Sequence, residues 1–293
     1  MDRAAEWHLR PEVVEKDYVL GWLLSSIGVQ DEIQATWIFK GGTCIKKTYF
    51  ETYRFSEDLD FTLLAEADYT DEAILGRLQA TARHCSEASG IEIPVEQIRV
   101  IPRQNKAGQA TFQARLYYRG PLQRMQNYAS VIFDITKHEI VVAESVGRPV
   151  FHPYPDDLPV ELTVRSYSLD ELLAEKTRAL FERTRPRDLY DVVYLLENCG
   201  EVLNLAEVRR IFVEKCTFKG LTVPSADHLR KIVADNEELR SEWANMLAHQ
   251  LPNLPVMEDV VARFNGLIGW VDEPEFVFPE APLPTAPTSI AET

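Results

Sequence analysis

The stretch "FKGGTCIKKTYFETYRFSEDLDFTLL", Phe39 to Leu64, joins a glycine pair, a basic segment of helical character and two aspartates one residue apart. Just before the glycines, "TWIFK" (36–40) is β-prone and stops at Gly41-Gly42, and "TCIKKTYF" after them reads as helix. In "DLDFTLL" (58–64), Asp58, Asp60 and Thr62 alternate with Leu59, Phe61 and Leu63. At a period of two, the polar set faces one way and the apolar set the other, so both carboxylates share one face of a strand. Side chains so placed start roughly 6.5 Å apart at Cα. That spacing lets two carboxylates reach divalent ions bound about 3.5–4 Å apart, an arrangement suited to in-line displacement at phosphorus. All-oxygen ligands favour Mg2+ or Mn2+. The bland alternative is a pair of solvated positions on a half-exposed strand. Against it stands the order of the parts: strand, glycine pair, helix, then the D-x-D strand. Bare amides at a helix start can approach a phosphate closely, and the Thr43 hydroxyl would add a donor. No Walker A or GxGxxG pattern competes for that role.

Outward from this stretch, residues 12–27 behind Pro11 read as a helix, and so do Asp71–Ala88. Residues 111–119 and 128–136 read as strands, with Asp134 near the end of the second. Prolines 149, 153, 155 and 159 suggest an extended crossover. Beyond it the pattern is helical. Ser168 and Glu171 form a capping box that starts a helix near Leu169. Further helices are expected over 186–197, 205–215, 225–249 and 258–267. The expected fold is α+β with two lobes, residues 1–160 and 161–271, followed by an acidic, proline-rich, flexible tail over 272–293.

Composition excludes several classes. With 31 basic and 46 acidic residues the net charge is -15, so any nucleic-acid contact needs a local patch rather than bulk charge. One segment qualifies: Arg99, Arg103, Lys106, Arg115, Arg119 and Arg124 occur without an acid among them, interleaved with Phe112, Tyr117 and Tyr118. Such a strip suits an RNA backbone with bases stacking on rings, and a solvated hairpin is the alternative. The four cysteines show no metal spacing, and neither a signal peptide nor a membrane span is expected, which points to a reduced, cytoplasmic chain. Lys176 lies within the apolar stripe of Leu172, Leu173, Ala179 and Leu180, where a lysine must snorkel or face an anion.

Arg54, Ser56, Asp58 and Asp60 after the Gly-Gly-Thr turn resemble the GG(S/T)…R-x-S-x-D-x-D signature of the AbiEii/AbiGii toxin family, within the polymerase-β-like nucleotidyltransferase superfamily. "ELLAEKTRALFERTRPRDLYDVVYL" is similar to that family's later motifs, a lysine-bearing helix followed by R-D-x-x-D, and "EKDYVLGWLL" to its opening helix. The resemblance spans residues 12–197. It implies a polymerase-β-like N-terminal lobe and a helical C-terminal lobe. Asp58 and Asp60, with Asp134 as the third carboxylate, would hold the metal. Lys176 and Asp191 would join the catalytic set. Gly41, Gly42, Thr43, Lys46, Lys47, Ser56, Arg187 and Asp188 would take the nucleoside triphosphate. A phosphate on Ser56 would add about 1.5–2 negative charges beside the metal ligands and is expected to switch the site off. The implied activity is transfer of a nucleoside monophosphate to RNA, the tRNA 3' end in some relatives, by the toxin half of a toxin–antitoxin or phage-defence pair with a cognate antitoxin. Two alternatives keep the fold: an enzyme that nucleotidylates protein hydroxyls, and a nucleotide-binding module without turnover.

Overall fold

The computed structural model describes residues 2–104, 110–123, 128–159, 162–273 and 275–276. A short α1 (Asp2–Glu6) precedes α2 (Pro11–Gly28), whose proline opens the first turn, and then α3 (Asp31–Thr36). Strand β1 (Trp37–Lys40) runs into α4 (Gly41–Cys44), which continues as a π turn over Ile45–Tyr49. After β2 (Asp58–Leu63) come α5 (Asp71–Ser89), β3 (Arg99–Gln104), β4 (Ala110–Tyr118) and β5 (Ala129–Thr136). Helix α5 starts on the Thr70 hydroxyl, which accepts from Ala73 N–H, and ends at Gly90, whose φ of 73° is left-handed.

The proline-rich stretch differs from a plain crossover. It is bracketed by two short strands, β6 (Val146–Pro149) and β7 (Thr163–Ser166), which pair with each other and attach β7 to β1. Pro149 ends an edge strand, where its missing N–H costs no ladder bond. The mixed sheet therefore runs β3-β4-β5-β2-β1-β7-β6 among the described residues.

Helices α6 (Leu169–Arg183), α7 (Pro186–Cys199), α8 (Leu205–Phe218), α9 (Ala226–Asp235), α10 (Glu237–Leu247) and α11 (Met257–Leu267) follow, with α7 packed against α6, α10 and α11. The Ser168 hydroxyl caps α6 by accepting from Glu171 N–H. Only that half of the expected box forms. The Glu171 carboxylate turns to the Val142 and Ala143 N–H groups and to Lys215 at 2.6 Å.

Alternation sets the two faces of the sheet. Leu59, Phe61, Phe133 and Ile135 point into the core with Ile74 and Leu78 of α5, and Phe61 stacks on Phe133 with ring centroids 6.4 Å apart. The opposite face carries the polar set. Residues directly opposite in a ladder point the same way. Asp60 therefore shares that face with Lys40 on β1, Asp134 on β5 and Gln113 on β4.

Candidate active site

Strand register brings three aspartates together. Asp60 lies directly opposite Asp134 in the parallel β2/β5 pair, and Asp58 precedes it by two residues on the same face. The Gln113 amide donates to Asp134 Oδ1 at 3.0 Å and orients that carboxylate from the neighbouring strand. Burial, then the charge of Asp134, pushes the Asp60 carboxyl up to about 6, although Lys40 opposes the shift. The same two causes, in the same order, raise Asp58. Three like charges thus crowd one face without enough cation from the chain.

The glycine pair fits against this group. Gly41 adopts φ 80°, a left-handed conformation, and a Cβ there would overlap the Asp60 carboxylate. A Cβ on Gly42 would lie 2.6 Å from Arg54 Nη2 and 3.1 Å from Ser56 Oγ. Both glycines are therefore required by close approach of site side chains. Thr43 is fully buried, and its hydroxyl donates to the Asp58 carbonyl, tying the turn to β2.

A second group of aspartates sits behind the first with the opposite balance. Asp191 accepts a bidentate pair from Arg54, Nε to Oδ1 and Nη2 to Oδ2, both at 2.7 Å. It also takes the Tyr53 hydroxyl and Lys176 Nζ, the latter at 2.7 Å. Burial works against the Asp191 carboxylate, but Arg54 and then Lys176 outweigh it and hold the group well below the usual range. Asp188 is held by Arg183 at 2.7 Å and Lys176 at 3.4 Å, and it too is lowered, with Lys176 and Arg183 overriding burial. Gln250, from the turn after α10, accepts from Arg54 Nη1 at 2.9 Å and completes the cage.

The expected site residues divide accordingly. Asp58, Asp60 and Asp134 meet on one sheet face, and Gly41, Gly42 and Ser56 border it. Lys176 reaches the site's edge from α6 as an anion-facing lysine on an apolar stripe, through its contacts with Asp191 and Asp188. Arg187 is anchored by Nε to the Met246 carbonyl at 3.2 Å. Lys46 and Lys47 are not brought to this face. Lys47 is buried on Asp17 at 2.9 Å, whereas Lys46 donates to the Glu51 carbonyl and lies 4.5 Å from the Phe55 ring centroid.

Register sets Arg99, Arg103, Arg115 and Tyr117 on the aspartate face, with Arg99 directly opposite Arg115. Arg119 pairs with Glu92 at 2.8 Å. Phe112 and Tyr118 belong to the core and present no ring there. Lys106 and Arg124 lie outside the described residues.

Sequence reasoning missed Lys40. It stands directly opposite Asp60, reaches Glu175 at 3.4 Å, and sits 5.9 Å from the Tyr167 ring centroid. The signal was a lysine ending an apolar strand immediately before the glycine pair. Gln250 left no signal, because its partner lies 196 residues away in sequence.

Among the described residues no three His, Cys, Asp or Glu side chains form a ready cage for a metal. The aspartate face instead offers an open set of oxygen donors whose mutual repulsion a divalent cation would relieve. Mg2+ is commonly held in this way, by one or two carboxylates with the remaining ligands from phosphate and water.

No curated protein matches the sequence. The fold is shared with solved structures, two of which come from Helicobacter pylori. JHP933 from Helicobacter pylori aligns with a TM-score of 0.58 at 17% identity, covering 90% of this chain and 93% of that one. A candidate nucleotidyltransferase from H. pylori aligns with a TM-score of 0.57 at 16% identity, covering 90% and 96%. A family model described as nucleotidyl transferase AbiEii toxin, type IV toxin–antitoxin system, matches residues 22–265. With most of its length matched and its aspartates gathered on one sheet face, this chain belongs to the AbiEii nucleotidyltransferase toxin family.

Proposed function

We propose that the chain is a metal-dependent toxin that transfers a nucleoside monophosphate from a nucleoside triphosphate to an RNA acceptor, the 3' end of tRNA, and so blocks translation. The observation that carries this reading is the register that sets Asp60 opposite Asp134, with Asp58 beside them and the Gly41-Gly42 turn against Asp60. Asp58, Asp60 and Asp134 would hold Mg2+ or Mn2+, which when bound supplies charge neutralisation at the phosphates. Lys40, directly opposite Asp60, and Lys176, whose charge bears on Asp60, would bind the triphosphate oxygens, with the amides of the glycine turn orienting them. Asp134, oriented by Gln113, would take the proton from the attacking hydroxyl. Asp191 acts as a positioning residue: Arg54, Tyr53 and Lys176 occupy it, so it fixes the lysine rather than touching substrate. Catalysis of this kind is positioning and charge stabilisation, with little covalent chemistry from the protein.

In this reading residues 1–160 carry the catalytic strands, 161–271 supply Lys176 and Arg187, and the exposed Arg99, Arg103 and Arg115 guide the RNA backbone. The type IV assignment supports a cognate antitoxin as partner. The four cysteines are free and buried, which suits a reducing cytoplasm, and no described helix is long and apolar enough to cross a membrane. The test is incubation with Mg2+, each α-labelled triphosphate and bulk tRNA. Label on RNA supports the reading, label on protein favours the nucleotidylating alternative, and bound nucleotide without transfer sinks the enzymatic account.

A further inference from the structure

Basic side chains from three remote segments converge at the Asp58 end of β2, apart from Lys40 opposite Asp60 and Lys176 on Asp191. Lys16, on α2, reaches Glu57 Oε2 at 3.0 Å. His249, after α10, approaches Glu57 Oε1 at 3.4 Å; burial outweighs the opposing Glu57 charge and lowers the imidazole below its usual range, so the ring offers a neutral N–H donor rather than a charge. Arg187, in the first turn of α7, holds the Met246 carbonyl with Nε alone, and its charge bears on both Glu57 and Asp58. Arg187 is half-buried, and burial followed by the neighbouring Arg54 charge disfavours its cation, with Glu57, Asp58 and Asp191 opposing. Glu57 stands between Lys16 and His249 on the irregular segment just before β2, with its side chain about one-third exposed (32%). Its carboxylate fills the position that a bridging anion would take.

We infer that Lys16, Arg187 and His249 form a phosphate subsite for the acceptor polynucleotide, with Glu57 as an internal stand-in that the incoming phosphodiester displaces. This rests on the transferase reading above, because a two-substrate reaction on phosphates needs a second anion site beside the catalytic carboxylates. Their contacts run to Glu57 and the Met246 carbonyl rather than to the glycine turn proposed for the triphosphate, and Arg187 passes from the triphosphate set expected from sequence to this subsite. Of the two phosphate sources, the acceptor strand is therefore the one assigned here.

The test measures binding without turnover, using a short fluorescein-labelled single-stranded RNA and, separately, labelled triphosphate with Mg2+. The double variant Lys16→Ala/His249→Ala should weaken RNA binding about tenfold and lower the salt slope by about 0.7, the share of the single Lys16 cation. Triphosphate affinity should stay within about twofold. Glu57→Gln should strengthen RNA binding, a gain that misfolding cannot mimic. The proposal is overturned if the double variant loses triphosphate rather than RNA, if neither affinity moves, if Glu57→Gln weakens RNA binding, or if the unaltered chain binds no RNA. Binding that follows the expected pattern in a chain that transfers no nucleotide would support the subsite and sink the transferase reading instead.

Discussion

The two aspartate groups of this molecule are built from the same residue type, lie next to each other, and are held in opposite electrostatic states. Asp58, Asp60 and Asp134 face one another on adjacent strands, and burial with mutual repulsion raises Asp58 and Asp60. Asp191 and Asp188 are more deeply buried, yet Arg54, Lys176 and Arg183 hold them low. Burial alone therefore does not set the state of a carboxylate. The supply of the chain's own cations does. A group left short of cation is poised to receive one from outside, whereas a group already saturated organises its neighbours.

Removing one member from each group breaks the comparison most sharply. Asp60→Asn should lower nucleotide transfer by at least about 10²-fold, the scale of losing one electrostatic stabiliser of a transition state. It should also raise stability, by about 1 kcal/mol or roughly 2–4 °C in melting temperature, because it relieves repulsion. Asp191→Ala should do the reverse to stability. It strands Arg54 and Lys176 in the interior and should cost about 3–5 kcal/mol in urea unfolding.

Acid sharpens the contrast. Asp191 and Asp188 titrate in the folded chain below the ordinary aspartate value of 3.8, so they stabilise the fold above that pH and lose their contribution as pH falls below it. Unfolding followed against pH should show an acid-side slope that Asp191→Asn makes shallower.

Smaller effects probe the joint between the groups. Gly42→Ala places a Cβ 2.6 Å from Arg54 Nη2, which Asp191 pins, so the guanidinium must shift. A destabilisation of about 1–3 kcal/mol is expected, with reduced transfer. Gln250→Ala removes one acceptor from Arg54 and should cost about 1–2 kcal/mol in the same unfolding assay.

Much of this arrangement was legible in the sequence wherever a local rule governed it. The period of two in 58–63 put Asp58 and Asp60 on one face, the glycine pair ended β1, and Ser168 started α6. Lys176 was recognisable as anion-facing because it interrupts an apolar stripe, although its anions turned out to be Asp191 and Asp188. Non-local pairings were not legible. Asp134 was expected as the third carboxylate through the family resemblance, and no local pattern dictates the parallel β2/β5 register that sets it opposite Asp60. Lys46 and Lys47 look like phosphate ligands until α2 supplies Asp17 and the chain supplies the Glu51 carbonyl. Strands β6 and β7 are four residues each, one of them ending in proline, too short for any alternation to stand out.

The central claim is that the strand aspartates carry nucleotide transfer while Asp191 fixes Arg54 and Lys176 beside them. The most direct measurement is Mg2+-dependent incorporation of α-labelled nucleotide into RNA by the unaltered chain and by Asp60→Asn, with the melting temperature of each recorded. The account predicts label for the first, a loss of at least about 10²-fold for the second, and no fall in its melting temperature. Equal incorporation by the two proteins would contradict it.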